Sequence, residues 1–95
     1  LPVSNAQARH VYHLFVIRTS KRDELRKYLT DRSIETAIHY PIPPHLQKSF
    51  MDLGYKKGDY PITEAIADTA LSLPLWPGLE VDQVEYVCDV IKKFF

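Results

Sequence analysis

The nine residues 39–47, HYPIPPHLQ, limit the possible fold more than any other part of the chain. Proline fixes φ and has no backbone N–H, so the prolines at positions 41, 43 and 44 exclude both a central β-strand and a helix interior. We therefore predict a stiff loop, named the proline loop, over residues 39–47. Because rigid scaffolds often present polar groups on loops at strand ends, His39, Tyr40 and His45 are candidates for lining a ligand cleft.

Other roles for the same three side chains are also open. Imidazole titrates near neutrality and binds zinc, so the two histidines could serve a metal site or acid–base chemistry. However, three prolines lie between them and no carboxylate or cysteine lies at a familiar ligand spacing nearby, so no metal site is expected. A hydrogen-bonded structural role for either histidine, and a packing role for Tyr40, remain as alternatives.

Apolar periodicity divides the rest of the chain into short strands and helices. Residues 11–18 are apolar on both faces, which is typical of a strand covered on both sides. Ser20 is a candidate N-cap for an amphipathic helix that runs to about Arg32. Residues 34–39 alternate again and predict a second strand. The remaining predicted elements are a helix from Pro44 to a left-handed cap at Gly54, a short helix around 62–70, an extended segment at 71–75 and a long helix at 81–94.

This order of elements predicts an α+β fold, with helices packed on a small, mostly antiparallel sheet. A length of 95 residues suits one domain with one core, so we treat residues 1–95 as a single domain. A strand covered on both faces requires more layers than a two-layer domain provides, and the first residue is Leu rather than Met. We therefore expect a fragment of a longer chain.

Composition excludes several classes of function. The 12 Lys and Arg residues balance the 12 Asp and Glu residues without forming a basic stripe, so no nucleic-acid partner is expected. No apolar run approaches the roughly 20 residues that cross a bilayer, so no membrane partner is expected. Cys88 is the only cysteine, which fits a reducing cytoplasm, and its place on the apolar stripe of the last helix predicts burial.

No nucleophile with a nearby base is visible in the sequence, so no catalytic residue is assigned. Glu64 begins a helix, where the helix dipole favours a carboxylate, and a contact with the preceding loop is the less favoured interpretation.

Several motifs occur in order along the chain: HYPxPxH at 39–45, LGY at 53–55, the step from Pro61 to Glu64, and LSLPLWPGL at 71–79. Together with HVYHLFVIR near the start, they resemble the C-terminal small domain of the DegT/DnrJ/StrS family of PLP-dependent sugar aminotransferases. The resemblance extends from about His10 to Phe95. It implies the small-domain fold of fold-type I aminotransferases.

The resemblance also implies an activity and a set of partners. Members of the family work as homodimers, hold PLP between a large domain and this smaller one, and transfer an amino group, usually from glutamate, to a nucleotide-linked keto sugar. The lysine that forms the Schiff base with PLP and the carboxylate that pairs with the pyridine nitrogen belong to the large domain. None of the seven lysines of this chain matches the context of the cofactor lysine, so the chain alone is expected to be inactive.

Carried over residue by residue, the resemblance assigns His39, Tyr40 and His45 to a loop that faces the active-site cleft, where they would orient sugar or phosphate groups of the substrate. It assigns Ser72 to Pro74 and the helix start at Glu64 mainly to supporting that loop. Glu80 stands where relatives often have a small capping residue, which leaves the start of the last helix open. Two alternatives to the enzyme remain: a stand-alone binding module, and a regulatory homologue with the same fold but without the reactive lysine.

Overall fold

A small antiparallel sheet lies at the centre of the fold. In the computed structural model, which describes residues 1–3 and 5–95, strand β1 (Phe15–Arg18) pairs with strand β2 (Ala70–Leu73). Phe15 lies opposite Leu73, and Arg18 lies opposite Ala70. The fold combines this antiparallel sheet with helices, so the predicted α+β class is confirmed. The helical elements are α1 (Arg22–Thr30), two 3₁₀ helices, η1 (Pro44–Leu46) and η2 (Lys48–Leu53), α2 (Pro61–Thr69) and α3 (Val81–Phe94).

The predicted strand at 34–39 is reduced to a single antiparallel bridge. Ala37 and Ser72 exchange both backbone hydrogen bonds, at 3.1 and 2.8 Å, on the side of β2 that faces away from β1. In this register residue 35 would face Pro74, which has no N–H to continue the ladder. The prediction of a full strand was therefore wrong, although β2 is still flanked on both sides.

The first strand is also shorter than predicted, because residues 11–14 lie outside it. Val11 is exposed, and Tyr12 has a φ of +49°, in the left-handed region that an extended strand does not use. The apolar pattern at 11–18 thus predicted the correct strand, but with a start four residues too early. Ile17 is the residue of β1 that enters the core.

The core forms where α1 and α3 pack against β2. Leu25 and Leu29 of α1 and Leu71 of β2 are completely buried, and Val90 of α3 joins them. Ile17 and Ile34 complete the cluster of buried residues. This packing uses apolar side chains spaced four residues apart on α1, which is the spacing of one helix face.

The helix ends follow the sequence in part. α3 spans the predicted residues. At its N-terminus, the backbone N–H of Glu80 donates to Oε1 of Gln83 at 3.1 Å, so this N–H group has a hydrogen-bond partner. α1 begins after Lys21 without a side-chain cap, so the prediction that Ser20 caps this helix was wrong. No helix among the described residues is both long and apolar enough to cross a bilayer.

Cys88 is exposed on α3, in contrast to its predicted burial. The helix turns Val87, Val90, Ile91 and Phe94 toward the core, and Cys88 lies beside that stripe rather than within it. With other side chains it lines an apolar groove of about 140 Å³, formed by Phe15, Leu73, Pro74, Leu75, Leu79, Val84, Val87 and Cys88.

The segment predicted as a helix from Pro44 to Gly54 is 3₁₀ rather than α-helical. Pro44 begins η1 as predicted, but Gln47 is extended, with a ψ of 146°, and separates η1 from η2. Gly54 ends η2 with a φ of +75°, which confirms the predicted left-handed cap. The chain then turns through residues 55–60 and enters α2 at Pro61.

Candidate functional site

The proline loop, residues 39–47, follows the bridge at Ala37, includes η1 and presents the side chains at its centre to solvent. Tyr40 is 75% exposed and Ile42 is 52% exposed, whereas Pro43 is buried beneath them. The peptide bond between His39 and Tyr40 is cis. The structure therefore confirms a loop at the position that the three prolines predict, with its tip at residues 40–42.

His39 attaches the first half of this loop to the sheet. Its Nδ1 atom lies 2.9 Å from Oγ of Ser72, a residue of β2 that is only 4% exposed. The Ser72 backbone is already held by the bridge to Ala37, so the hydroxyl group is a fixed partner for the imidazole. The ring of His39 also meets the ring of Tyr40 edge-on, with centroids 6.0 Å apart.

His45 attaches the second half of the loop to α2. The residue is only 8% exposed, and its Nε2 atom lies 2.9 Å from Oε1 of Glu64. Its ring packs edge-on against Tyr60 with centroids 4.9 Å apart. This geometry favours a role in holding the loop over direct contact with a ligand, because one ring nitrogen is occupied and the side chain is enclosed.

Glu64 is the residue at this site that the sequence analysis underrated. Both of its carboxylate oxygens accept from the backbone N–H of Gly58, at 2.8 and 3.0 Å, and Oε1 also accepts from the N–H of Tyr60 at 3.4 Å. Gly58 has a φ of +98°, so the turn that delivers its N–H suits glycine. The contact of Glu64 with the preceding loop, the less favoured prediction from the sequence, is thus present.

The electrostatics of Glu64 follow from these donors. The Gly58 N–H lowers the pKa of the carboxyl group below its ordinary value, and the bonds from His45 and Tyr60 act in the same direction. Partial burial opposes them to a smaller extent than the Gly58 bond. A glutamate in the first turn of a helix, directly after the turn-rich segment YKKGDYP, is the sequence signal that could have identified this contact.

Two clefts flank the pair formed by His45 and Glu64. One has a volume of about 230 Å³ and contains Lys57 and Asp68 together with Glu64 and the loop prolines 41 and 43. The other has a volume of about 190 Å³ and is mainly aromatic, with lining residues Pro44, His45, Phe50, Leu53, Tyr55 and Tyr60. Of the three candidate residues, His45 lines the aromatic cleft, and His39 and Tyr40 line neither of these two clefts.

A larger cleft of about 480 Å³ lies elsewhere, between residues 33–35, the segment after β2, and α3. It contains none of the three candidates from the proline loop. The volume of a cleft alone therefore does not identify the site.

The walls of the 230 Å³ and 480 Å³ clefts do not fit PLP by themselves. The cofactor requires a lysine for the Schiff base and cationic or N–H groups for its phosphate. Lys57 shares its cleft with the carboxylates of Glu64 and Asp68, which would repel a phosphate, and the 480 Å³ cleft contains Glu35 and Asp82 but no lysine or arginine. Over residues 1–3 and 5–95, no three His, Cys, Asp or Glu side chains are grouped so that they could hold a metal ion.

Comparison with known proteins identifies the class of protein to which this domain belongs. The model of the DegT/DnrJ/EryC1/StrS aminotransferase family matches residues 1–92, and the chain belongs to that family. The family predicted from the motifs is thereby confirmed.

Particular relatives agree with this assignment. The chain is 46% identical over 86 residues to the "Pleiotropic regulatory protein" of Geobacillus stearothermophilus, covering 90% of this chain and 23% of that protein. It is 40% identical over 94 residues to the dTDP-3-amino-3,4,6-trideoxy-alpha-D-glucose transaminase of Streptomyces venezuelae, covering 99% of this chain and 25% of the transaminase.

A solved structure gives the same result for the fold. The crystal structure of S. venezuelae DesV in complex with a ketimine intermediate has a TM-score of 0.94 and 40% identity, covering 99% of this chain and 25% of that one. The chain thus spans about a quarter of the length of the relatives that it matches.

Proposed function

We propose that the complete protein is a PLP-dependent aminotransferase that transfers an amino group from glutamate to a nucleotide-linked keto sugar, and that residues 1–95 are its C-terminal small domain. The observation that carries the proposal is the relation to the S. venezuelae transaminase, at 40% identity over 94 residues. The TM-score of 0.94 to DesV, a protein solved with a ketimine intermediate, supports the same reaction class.

In this proposal the rest of the protein supplies the large domain. The lysine that binds PLP, the carboxylate opposite the pyridine nitrogen and most of the phosphate contacts lie in that large domain. Neither the 480 Å³ cleft nor the 230 Å³ cleft combines a lysine with a favourable site for a phosphate, which supports this division. The complete enzyme acts as a homodimer in the cytoplasm, and residues 1–95 alone have no transaminase activity.

The proline loop supplies part of the sugar-binding wall in this proposal. Tyr40 is exposed at the loop tip, and its phenolic O–H can donate to a sugar hydroxyl or phosphate oxygen. His39 has its Nδ1 atom paired with Ser72, which orients Nε2 as its second polar atom for the substrate. His45 contributes by holding the loop, because its Nε2 atom is paired with Glu64.

Borohydride reduction followed by mass spectrometry tests the cofactor assignment. We expect a pyridoxyl-lysine adduct in the complete protein, at a lysine outside residues 1–95. A second assay measures the release of 2-oxoglutarate from glutamate in the presence of dTDP-linked or UDP-linked keto sugars. An unmodified protein with no turnover would refute the proposal.

A regulatory homologue is a second candidate function, because the relative at 46% identity has the name "Pleiotropic regulatory protein". The same two assays separate the candidates. A regulatory homologue that lacks the reactive lysine would give neither adduct nor turnover, while purified protein of the expected fold would still be obtained. A stand-alone binding module would be found in its source cells near the 11.0 kDa of the present chain.

A further inference from the structure

The proline loop is held at two points, one near each end. At the first, His39 is paired with Ser72 of the sheet, and at the second, His45 is paired with Glu64 of α2. Among the described residues, these are the two side-chain hydrogen bonds that connect residues 39–47 to the rest of the fold, since the bond from Gln47 Nε2 to the Ile42 carbonyl lies within the loop. The exposed tip at residues 40–42 lies between the two attachments.

Glu64 does more than hold His45. Its carboxylate also binds the N–H of Gly58 with both oxygens, and therefore connects the proline loop to the turn at residues 55–60. The aromatic cleft of about 190 Å³ lies between these two segments, with Pro44 and His45 from one and Tyr55 and Tyr60 from the other. The Glu64 side chain, 12% exposed, thus holds two of the segments that line that cleft, and Phe50 and Leu53 of η2 complete the lining.

We propose that Glu64 is a positioning residue: by binding His45 and Gly58 together, it sets the position of the proline loop and hence the affinity for the keto-sugar substrate. This inference rests on the proposed function, because the substrate is the one named there. In this role Glu64 needs no contact with a reacting group. It acts through His45 and through the turn.

A charged acceptor suits this task better than a neutral one. Hydrogen bonds to an ionised carboxylate are roughly twice as strong as those between neutral groups, and a carboxylate can accept from several donors at once. Substitution by alanine removes the acceptor for both segments, whereas Glu64→Gln keeps the shape and one acceptor oxygen but loses the charge. Comparison of the two variants therefore separates the effect of the carboxylate charge from the effect of the side-chain shape.

The first measurement is amide hydrogen exchange at Gly58 in the complete protein. We expect Glu64→Ala to accelerate exchange by about tenfold or more, which corresponds to the loss of a charge-assisted hydrogen bond, and Glu64→Gln to have a smaller effect. The matched control is Glu85→Gln, an exposed position on α3, where Gly58 exchange should not change. Unchanged Gly58 exchange in Glu64→Ala would overturn the inference whatever the enzyme does. If Glu64→Ala does not fold, Gly58 exchange in Glu64→Gln takes its place: faster exchange than in the parent supports the inference, and unchanged exchange overturns it.

The second measurement separates positioning from general destabilisation. We expect the KM for the keto sugar to rise about tenfold in Glu64→Ala, equivalent to one lost charge-assisted bond, with the KM for glutamate and the kcat of the glutamate half-reaction unchanged. Equal losses for both substrates would indicate a merely structural role and overturn the inference. If the unsubstituted protein shows no transaminase activity, the proposed function fails and the inference about the substrate fails with it, while the exchange data still decide whether Glu64 holds the turn.

Discussion

The bond between His39 and Ser72 gives the sharpest prediction about how the proline loop is held. Ser72→Ala removes the hydroxyl that lies 2.9 Å from Nδ1 of His39 but leaves the two backbone bonds to Ala37 unchanged. Only a side-chain bond is lost, and the exposed His39 ring can bind water instead. We therefore expect a cost of about 0.5–1.5 kcal/mol in the free energy of unfolding, the net value of one such bond.

A double-mutant cycle isolates that bond. The four proteins are the parent chain, Ser72→Ala, His39→Ala and the double variant, each unfolded by urea and followed by far-UV circular dichroism. We expect a coupling energy of about 1 kcal/mol, because each single substitution breaks the same hydrogen bond. The control cycle pairs His39→Ala with Ser49→Ala, an exposed serine of η2, and its coupling should stay within about 0.5 kcal/mol.

One outcome of the two cycles would contradict the prediction that Ser72 holds His39. Equal coupling energies in the two cycles would mean that the hydroxyl of Ser72 does not hold His39. The two-point attachment of the proline loop would then be reduced to the single contact at His45. Under the proposed function, Ser72→Ala in the complete protein should also raise the KM for the keto sugar while PLP content stays constant.

Three further predictions concern the core, the carboxylate and the loop tip. Leu71→Ala should lower the free energy of unfolding by about 3–5 kcal/mol because Leu71 is completely buried, whereas Leu53→Ala, at 63% exposure, should cost under about 1 kcal/mol in the same urea titration. Because the pKa of Glu64 is lowered by folding, its stabilising contribution is complete above the ordinary glutamate pKa of about 4.3 and is lost as the pH falls through the lowered value. The stability difference between the parent and Glu64→Gln, measured from pH 6 to pH 2 by urea titration, should therefore shrink below about pH 4, and a difference that grows toward low pH would contradict this sign. Under the proposed function, Tyr40→Phe in the complete protein should raise the KM for the keto sugar about fivefold, while Tyr86→Phe on α3 should leave it unchanged. Equal effects of the two substitutions would show that Tyr40 does not contact the substrate.

Local patterns predicted the elements whose causes are local. α3 occupies the predicted residues because its apolar spacing is regular over 14 positions, and Gly54 ends η2 because glycine adopts a positive φ at little cost. Errors occurred where distant residues decide the outcome. The strand at 34–39 fails because of Pro74, and Cys88 lies at the edge of the helix face that α1 and the sheet cover.

At the candidate site, too, features with local causes could be predicted from the sequence, and contacts between distant residues could not. Three prolines suffice to predict a stiff loop, since their effect on φ needs no partner. The partners of the two histidines could not be predicted, because Ser72 is 33 residues from His39 and Glu64 is 19 residues from His45. Only the folded chain brings those pairs together, so the sequence could not distinguish ligand contact from attachment of the loop.

The structure answers why prolines and histidines occur together in one short segment. Prolines stiffen the loop but remove N–H donors, so the backbone alone offers few bonds to hold it. The two imidazoles replace those bonds by reaching a hydroxyl on one side and a carboxylate on the other. Tyr40, between them, remains exposed at the tip. A stiff loop held at both ends can keep an exposed side chain in one place at low entropic cost, which is the property that a substrate-binding wall needs.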